Sequence, residues 1–223
     1  MRAGALTLAR SVQYLVPGVV LAVVDPGVGT LRRAVAVEVG EDGESILVGP
    51  DNGLLAGAVS MVGGAGRAVT LTDEAYHLPA PPGATFAGRD VFAPVAAHLC
   101  NGVDLGDLGE ALDPMTLVPG LVPVCREENG ALVAEALWVD RFGNVQLNVS
   151  PEDVEAYGPR VAVRWGDQVR TARRATTYAE LKPGEVGLVL DSYGLLSVAL
   201  REEPAGETLG IHPGAAVTLS PPG

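Results

Sequence analysis

Apolar positions change rhythm twice along this chain. Leu6, Leu8, Val12, Leu15 and Val16 share one helical face, which predicts a helix over about residues 3–16. The spacing then tightens into a β-branched run, Val19, Val20, Val23 and Val24, which reads as a buried strand ending at Asp25. Further strands are predicted at residues 33–39, 45–49 and 67–73, with helices starting at Asn52 and covering residues 91–100. Strand–helix alternation predicts an α/β fold, a mostly parallel sheet wrapped by helices. The chain begins inside a helix, so the sheet is expected to lack its first strand, as a truncated or misannotated start would leave it.

The second change follows DPMTLVPGLVP (residues 113–123), whose prolines and glycines predict a linker. Beyond it come short apolar segments with turn signals: LVPVCREE, ALVAEALWVD, RVAVRWG, QVRTA, VGLVLD and LLSVAL. These predict a smaller antiparallel β-barrel or sandwich. Helical signal there is confined to residues 151–158, with Ser150 as a plausible N-cap, and to the region near residues 203–209. The expected division is an α/β domain over residues 1–115 and an antiparallel β domain over residues 120–223.

Composition narrows what this architecture can do. The chain has 223 residues, 48% of them hydrophobic but only 4% aromatic, so Val, Leu and Ala must fill the core. A formal charge of −12 and a pI near 4.6 argue against nucleic acid as a partner, because binding it needs a basic footprint. The same acidity suits a cationic ligand. Cys100 and Cys125 have no metal-ligand spacing and read as buried, reduced thiols of a cytoplasmic protein. His77, His98 and His212 are too scattered for a local zinc motif, so no metal is expected. No apolar run reaches membrane-spanning length, and the amino end lacks the apolar core and cleavage site of a signal peptide.

Candidate chemistry concentrates in three punctuated segments. In VVDPGVGTLRR (residues 23–33) a strand ends on Asp25, and Pro26-Gly27-Val28-Gly29 forces a tight turn that exposes backbone. Open α/β sheets place their chemistry at the carboxyl ends of strands. Arg32 follows the turn, either as a partner in chemistry or as half of a turn-stabilising ion pair. Arg33, one position on, should point to the opposite face. Asp25 and Arg32 are expected at the mouth of a cleft. The second segment, VGPDNGLL (residues 48–55), reads as a strand–turn–helix joint with Asp51 or Asn52 capping the helix. The third is TFAGRDVFAP (residues 85–94). No GK[ST] follows either glycine-rich turn, so neither is a phosphate loop.

These segments, in this order, with DRFGNVQLN (residues 140–148) and DSYGLLSVAL (residues 191–200), resemble the S-adenosylmethionine hydrolase family of hydroxide adenosyltransferases. That family is kin to the S-adenosylmethionine-dependent fluorinase and chlorinase, and the resemblance spans almost the whole chain. It implies hydrolysis of S-adenosyl-L-methionine to adenosine and L-methionine, with S-adenosylmethionine as substrate and no separate cofactor. It also implies a homotrimer with the ligand between subunits. Asp25 and Arg32 match the family's catalytic acid and arginine. Asp140 matches the acid facing the methionine ammonium, and Asn144 the amide that reads adenine. Ser192 matches a methionine-side serine. Tyr193 stands where the fluorinase has Arg, and Ser197 where hydrolases often carry Glu.

Two departures bear on activity. The family motif at residues 85–90 reads TFHGRD, and Ala87 replaces its His. His77, ten positions earlier, has two readings, a histidine that reaches the site or a surface or loop histidine, and the second is preferred. The family's opening TDFG-like strand has no counterpart in this chain. Set against the hydrolase, these departures leave a catalytically impaired relative that binds S-adenosylmethionine or adenosine as the alternative. Gly88 offers no hydroxyl to a fluoride, and the Asp25 carboxylate repels any incoming halide, so water is the expected nucleophile.

Overall fold

The computed structural model describes residues 1–79, 85–120 and 123–222, in two units, Met1–Leu121 and Val122–Gly223. The first unit holds α1 (Arg2–Val12), β1 (Val19–Leu21), β2 (Ala34–Val39), β3 (Ser45–Pro50), α2 (Ala56–Met61), β4 (Ala65–Thr70), α3 (Ala93–Cys100) and β5 (Ala111–Leu112). Its five strands lie in the order β1-β3-β2-β4-β5. Alternation along β2 divides the core between the two sheet faces. Val35, Val37 and Val39 join Leu8, Val12, Leu54 and Leu55 in one cluster, while Ala36 joins Val48, Phe92, Val95 and Leu99 in the other.

Helices cover the sheet as expected, but its strands are not mostly parallel. Only β1 and β3 pair in parallel; β2–β3, β2–β4 and β4–β5 are antiparallel. The cause is a hairpin. Gly40 and Gly43, both at positive φ, turn β2 straight back into β3. β1, β3 and β4 therefore share one direction, as the helix α2 between β3 and β4 requires, and β2 is inserted among them. The β1 strand is also shorter and less covered than its β-branched run suggests. It ends at Leu21, and Leu21, Val23 and Val24 are exposed. An edge position explains this, since β1 pairs with β3 alone.

The second unit comprises β6 (Arg126–Glu128), β7 (Ala131–Val139), β8 (Val145–Leu147), β9 (Arg160–Trp165), β10 (Gln168–Ala175), β11 (Gly187–Leu190), β12 (Leu196–Ala199), α4 (Ala205–Leu209) and β13 (Ala216–Ser220). Pairing of β13 with both β9 and β7 closes seven strands into a barrel, and β6 extends the β7 hairpin. Closure removes the open edges that a flat sheet would present. All its pairings are antiparallel except β10–β11. Val161, Val163 and Trp165 point inward from β9, and the Trp165 indole N–H donates to the Leu209 carbonyl at 2.8 Å.

Local details depart from the sequence in several places. Residues 121 and 122, which the sequence places in the linker and at the start of the LVPVCREE segment, lie outside the described residues. Ser150 does not cap the 3-10 turn Glu152–Tyr157; its N–H and hydroxyl both donate to the Asp153 carboxylate instead. Both cysteines are free, but Cys100 is exposed and Cys125 half-buried, so neither is a core thiol. Among the described residues no helix is long and apolar enough to cross a membrane, and no group of three or more His, Cys, Asp or Glu side chains could hold a metal.

Candidate active site

The first part of the site is the turn after β1. Ala22 still donates to Val48, and the Asn52 side-chain amide donates to the Val24 carbonyl at 3.0 Å, which fixes the chain as it approaches Asp25. The turn closes through Val28 N to Asp25 O at 3.3 Å and Thr30 Oγ1 to Gly27 O at 2.7 Å, with Gly29 at φ +81°. This geometry returns Arg32 to Asp25. Arg32 Nε donates to both carboxylate oxygens at 2.9 and 2.8 Å, and Nη2 also bonds Oδ2. The guanidinium carbon lies 5.1 Å from the centre of the Phe92 ring, a cation–π arrangement. Both side chains are largely covered, Asp25 at 6% and Arg32 at 14% exposure.

Arg33 does face the other way. Its guanidinium bonds Asp51 and Thr116, and Asp51 also accepts from Val118 N at 2.8 Å. Asp51 therefore ties the 114–118 segment to the sheet rather than capping α2. Asn52 does not cap it either; its Oδ1 accepts from Leu54 N, and the helix starts later, at Ala56. One cleft of this unit, of about 400 Å³, is lined by Asp51, Leu55, Val59, Met115 and Leu117, among others, and not by Asp25 or Arg32.

The third segment lies against the first. Residues Gly88–Phe92 form a π-helical turn preceding α3, a rare geometry that recurs at functional sites. A Cβ built on Gly88 would stand 3.6 Å from Val23 Cγ1, two residues before Asp25. Ala87 packs into the cluster that contains Phe92 and Val19. Asp90 is buried and paired with Arg89, and hydrogen bonding from that guanidinium outweighs burial, holding the Asp90 carboxyl below its ordinary range.

The second unit contributes two matching turns. Asp140 Oδ1 accepts from Phe142 N at 2.8 Å and Asn144 N at 2.9 Å, and Oδ2 accepts from Asn144 Nδ2 at 3.0 Å. Asp191 repeats the pattern, with Oδ1 accepting from Tyr193 N at 2.8 Å and Leu195 N at 3.1 Å. Its Oδ2 accepts from Gln146 Nε2 and, at 3.5 Å, from the buried Ser197 hydroxyl. Ser192 and Tyr193 are exposed at the tip of that turn. The Tyr178 phenol is raised above its ordinary value, first by burial and then by the charges of Asp140 and Asp191.

Asp140, Asn144, Ser192, Tyr193 and Ser197 thus fall on or beside two turns joined by the pairing of β8 with β12 and the Gln146–Asp191 bond, while Asp25 and Arg32 meet in the first unit. Sequence reading passed over Asp191, Gln146 and Tyr178. One signal was available, because Asp-x-aromatic-Gly occurs at residues 140–143 and again at 191–194. Gly143 shows how tightly the first turn is held. It has φ +86°, and a Cβ there would lie 2.4 Å from Pro204 Cα. Gly143→Ala is expected to lower stability by about 1–3 kcal/mol through overpacking and backbone strain. Thermal unfolding checks this; a melting temperature equal to that of the wild type would contradict the tight packing.

Known proteins resemble this chain over most of its length. Residues 1–109 match the SAM hydroxide adenosyltransferase N-terminal domain, and residues 134–218 match the C-terminal domain of the same family. The chain is 46% identical over 214 residues to an (R)-S-adenosyl-L-methionine hydrolase of Salinispora tropica, covering 96% of this chain and 79% of that protein. A hydrolase of the same name from Thermus thermophilus is 40% identical over 98% of this chain and 82% of its own length. A crystal structure of an uncharacterized conserved protein from Thermotoga maritima superposes with a TM-score of 0.82 at 29% identity, over 98% of this chain and 83% of that one. The chain belongs to the SAM hydroxide adenosyltransferase family.

Proposed function

We propose that this protein hydrolyses S-adenosyl-L-methionine to adenosine and L-methionine by attack of water or hydroxide at C5′. Cleavage of the C5′–S bond turns a sulfonium into a neutral thioether, so the leaving group needs no acid. What the protein must supply is an in-line nucleophile held away from bulk water. The observation that carries the reading is the bidentate Asp25–Arg32 pair across the turn that follows β1, in a chain 46% identical to a hydrolase of that name. Asp25 orients the water, and Arg32 stabilises its hydroxide-like form.

In the same reading Asp140 faces the methionine ammonium. Asn144 uses one N–H on Asp140, which leaves its side-chain carbonyl and second N–H for the adenine edge. Ser192, Tyr193 and Ser197 belong to the methionine side. S-adenosylmethionine is the substrate, and no further cofactor enters the reaction. A cytoplasmic homotrimer with the ligand between subunits completes the proposal.

The test is chromatography of the purified chain incubated with S-adenosylmethionine, with and without chloride. Adenosine and methionine should appear in equal amounts, and chloride should yield no 5′-chloro-5′-deoxyadenosine. Calorimetric binding without product release would instead identify a non-catalytic relative.

A further inference from the structure

Arg32 is held by a carboxylate, a glycine and an aromatic ring. Its Nε and Nη2 donate to Asp25. Its stem passes Gly27, where a Cβ would stand 3.5 Å from Arg32 Cγ, and its backbone N–H donates to Thr30 Oγ1 at 3.3 Å. The third contact is the Phe92 ring, whose centroid lies 5.1 Å from the guanidinium carbon above it. Asp25, Gly27 and Thr30 belong to the same short turn as Arg32. Phe92 does not; it closes the π-helical turn Gly88–Phe92 and leads into α3.

Phe92 is built to keep a cation still. It is fully buried and packs with Ala36, Val48, Val95 and Leu99, so its ring has little room to move. The backbone leading to it is fixed as well. Arg89 N and Asp90 N both donate to Phe86 O at 2.9 Å, and Leu78 N donates to Asp90 O at 2.8 Å. Arg89 lies over Phe86 and Arg141 over Phe142, but these pairs are close neighbours in sequence and their rings are exposed. The Arg32–Phe92 pair is long-range and covered, and a ring attracts a cation more strongly where water is excluded. That attraction acts on the charge as a whole, so it holds the guanidinium without demanding a particular N–H.

We propose that Phe92 is a positioning residue for the hydrolysis, a role that rests on the function proposed above. Its ring holds the Arg32 guanidinium beside Asp25, so the positive charge is in place before hydroxide character develops on the water. Stabilising a charge that appears only in the transition state depends on groups already aimed at it. A guanidinium free to swing on its long stem would have to be ordered at that moment, and the rate would fall. Phe92 touches neither water nor substrate in this role and acts only through Arg32. Its loss should therefore appear in turnover and not in affinity.

The experiment places phenylalanine analogues with one, two or three ring fluorines at position 92 of the full chain, beside the Phe92→Leu variant. Each fluorine draws electron density from the ring face and weakens its pull on a cation, with little change of shape. Turnover should fall stepwise with fluorine number, and by about tenfold in Phe92→Leu. Calorimetric affinity for S-adenosylmethionine should stay at the wild-type value throughout. The melting temperature should hold in the fluorinated chains and drop in Phe92→Leu, which leaves a cavity, so the graded series decides. Equal turnover across the series would overturn the proposal. So would a fall that follows melting temperature or affinity, which marks packing alone. A fall at the first fluorine that does not grow with the second and third marks a steric clash and would overturn it too. No adenosine from the wild type would remove the hydrolase reading and this role together; an active wild type with a flat series removes the role alone.

Discussion

Asp25→Asn should reduce adenosine release by about a hundredfold to ten-thousandfold, the range of a positioned acid–base group. The substitution keeps the side chain's size and one carbonyl acceptor, so the turn through Gly27 and Gly29 should persist. What it removes is the negative charge that both fixes Arg32 and orients the water. An amide also presents an N–H to a guanidinium that can only donate, which breaks the bidentate fork. Some stability is lost as well, because removing one member of a covered ion pair leaves the other without compensation. Arg32 keeps its contact with the Phe92 ring, which moderates that loss. Turnover by chromatography, compared with affinity by calorimetry, separates the effects. A fully active Asp25→Asn chain would reduce the pair to a brace for the turn.

Asp51→Ala should give the opposite profile, a large loss of stability without a catalytic signature of its own. The Asp51 side chain is 3% exposed and accepts from Arg33 and from Val118 N. Truncation strands the Val118 N–H and leaves Arg33 with Thr116 as its remaining partner. Breaking a buried pair by removing one member costs about 3 kcal/mol, enough to lower the melting temperature by roughly 10 °C. The adjacent arginines thus divide the work, Arg32 on the candidate catalytic carboxylate and Arg33 on the structural one. A melting temperature unchanged in Asp51→Ala would contradict that division.

Much of this was legible from residue pattern alone. The near-continuous apolar run in residues 34–39 marks a strand covered on both faces, and the change of rhythm after the proline-rich segment marks the barrel or sandwich, which the structure resolves as a barrel. The opposite facing of Arg32 and Arg33 follows from the strand period. Pairing direction was not legible, because helix α2 reports only that β3 and β4 are parallel to each other. That β2 folds back between them depends on a glycine hairpin whose effect is long-range. The cover over Val23 and Val24 was overestimated, since β-branched residues favour strands at an edge as well as in the middle of a sheet. At the site, Asp25 announced itself by punctuation, a strand end followed by glycines. Asp191 and Tyr178 did not, since their importance comes from which turns the closed barrel brings together.

Isotope placement tests the central claim most directly. Turnover of S-adenosylmethionine by the full chain in oxygen-18 water, followed by mass spectrometry of both products, reports which atom the water attacks. Attack at C5′ predicts one oxygen-18 in the adenosine 5′-hydroxyl and none in methionine. Label in an amino-acid product, or release of methylthioadenosine in place of adenosine, would contradict the account.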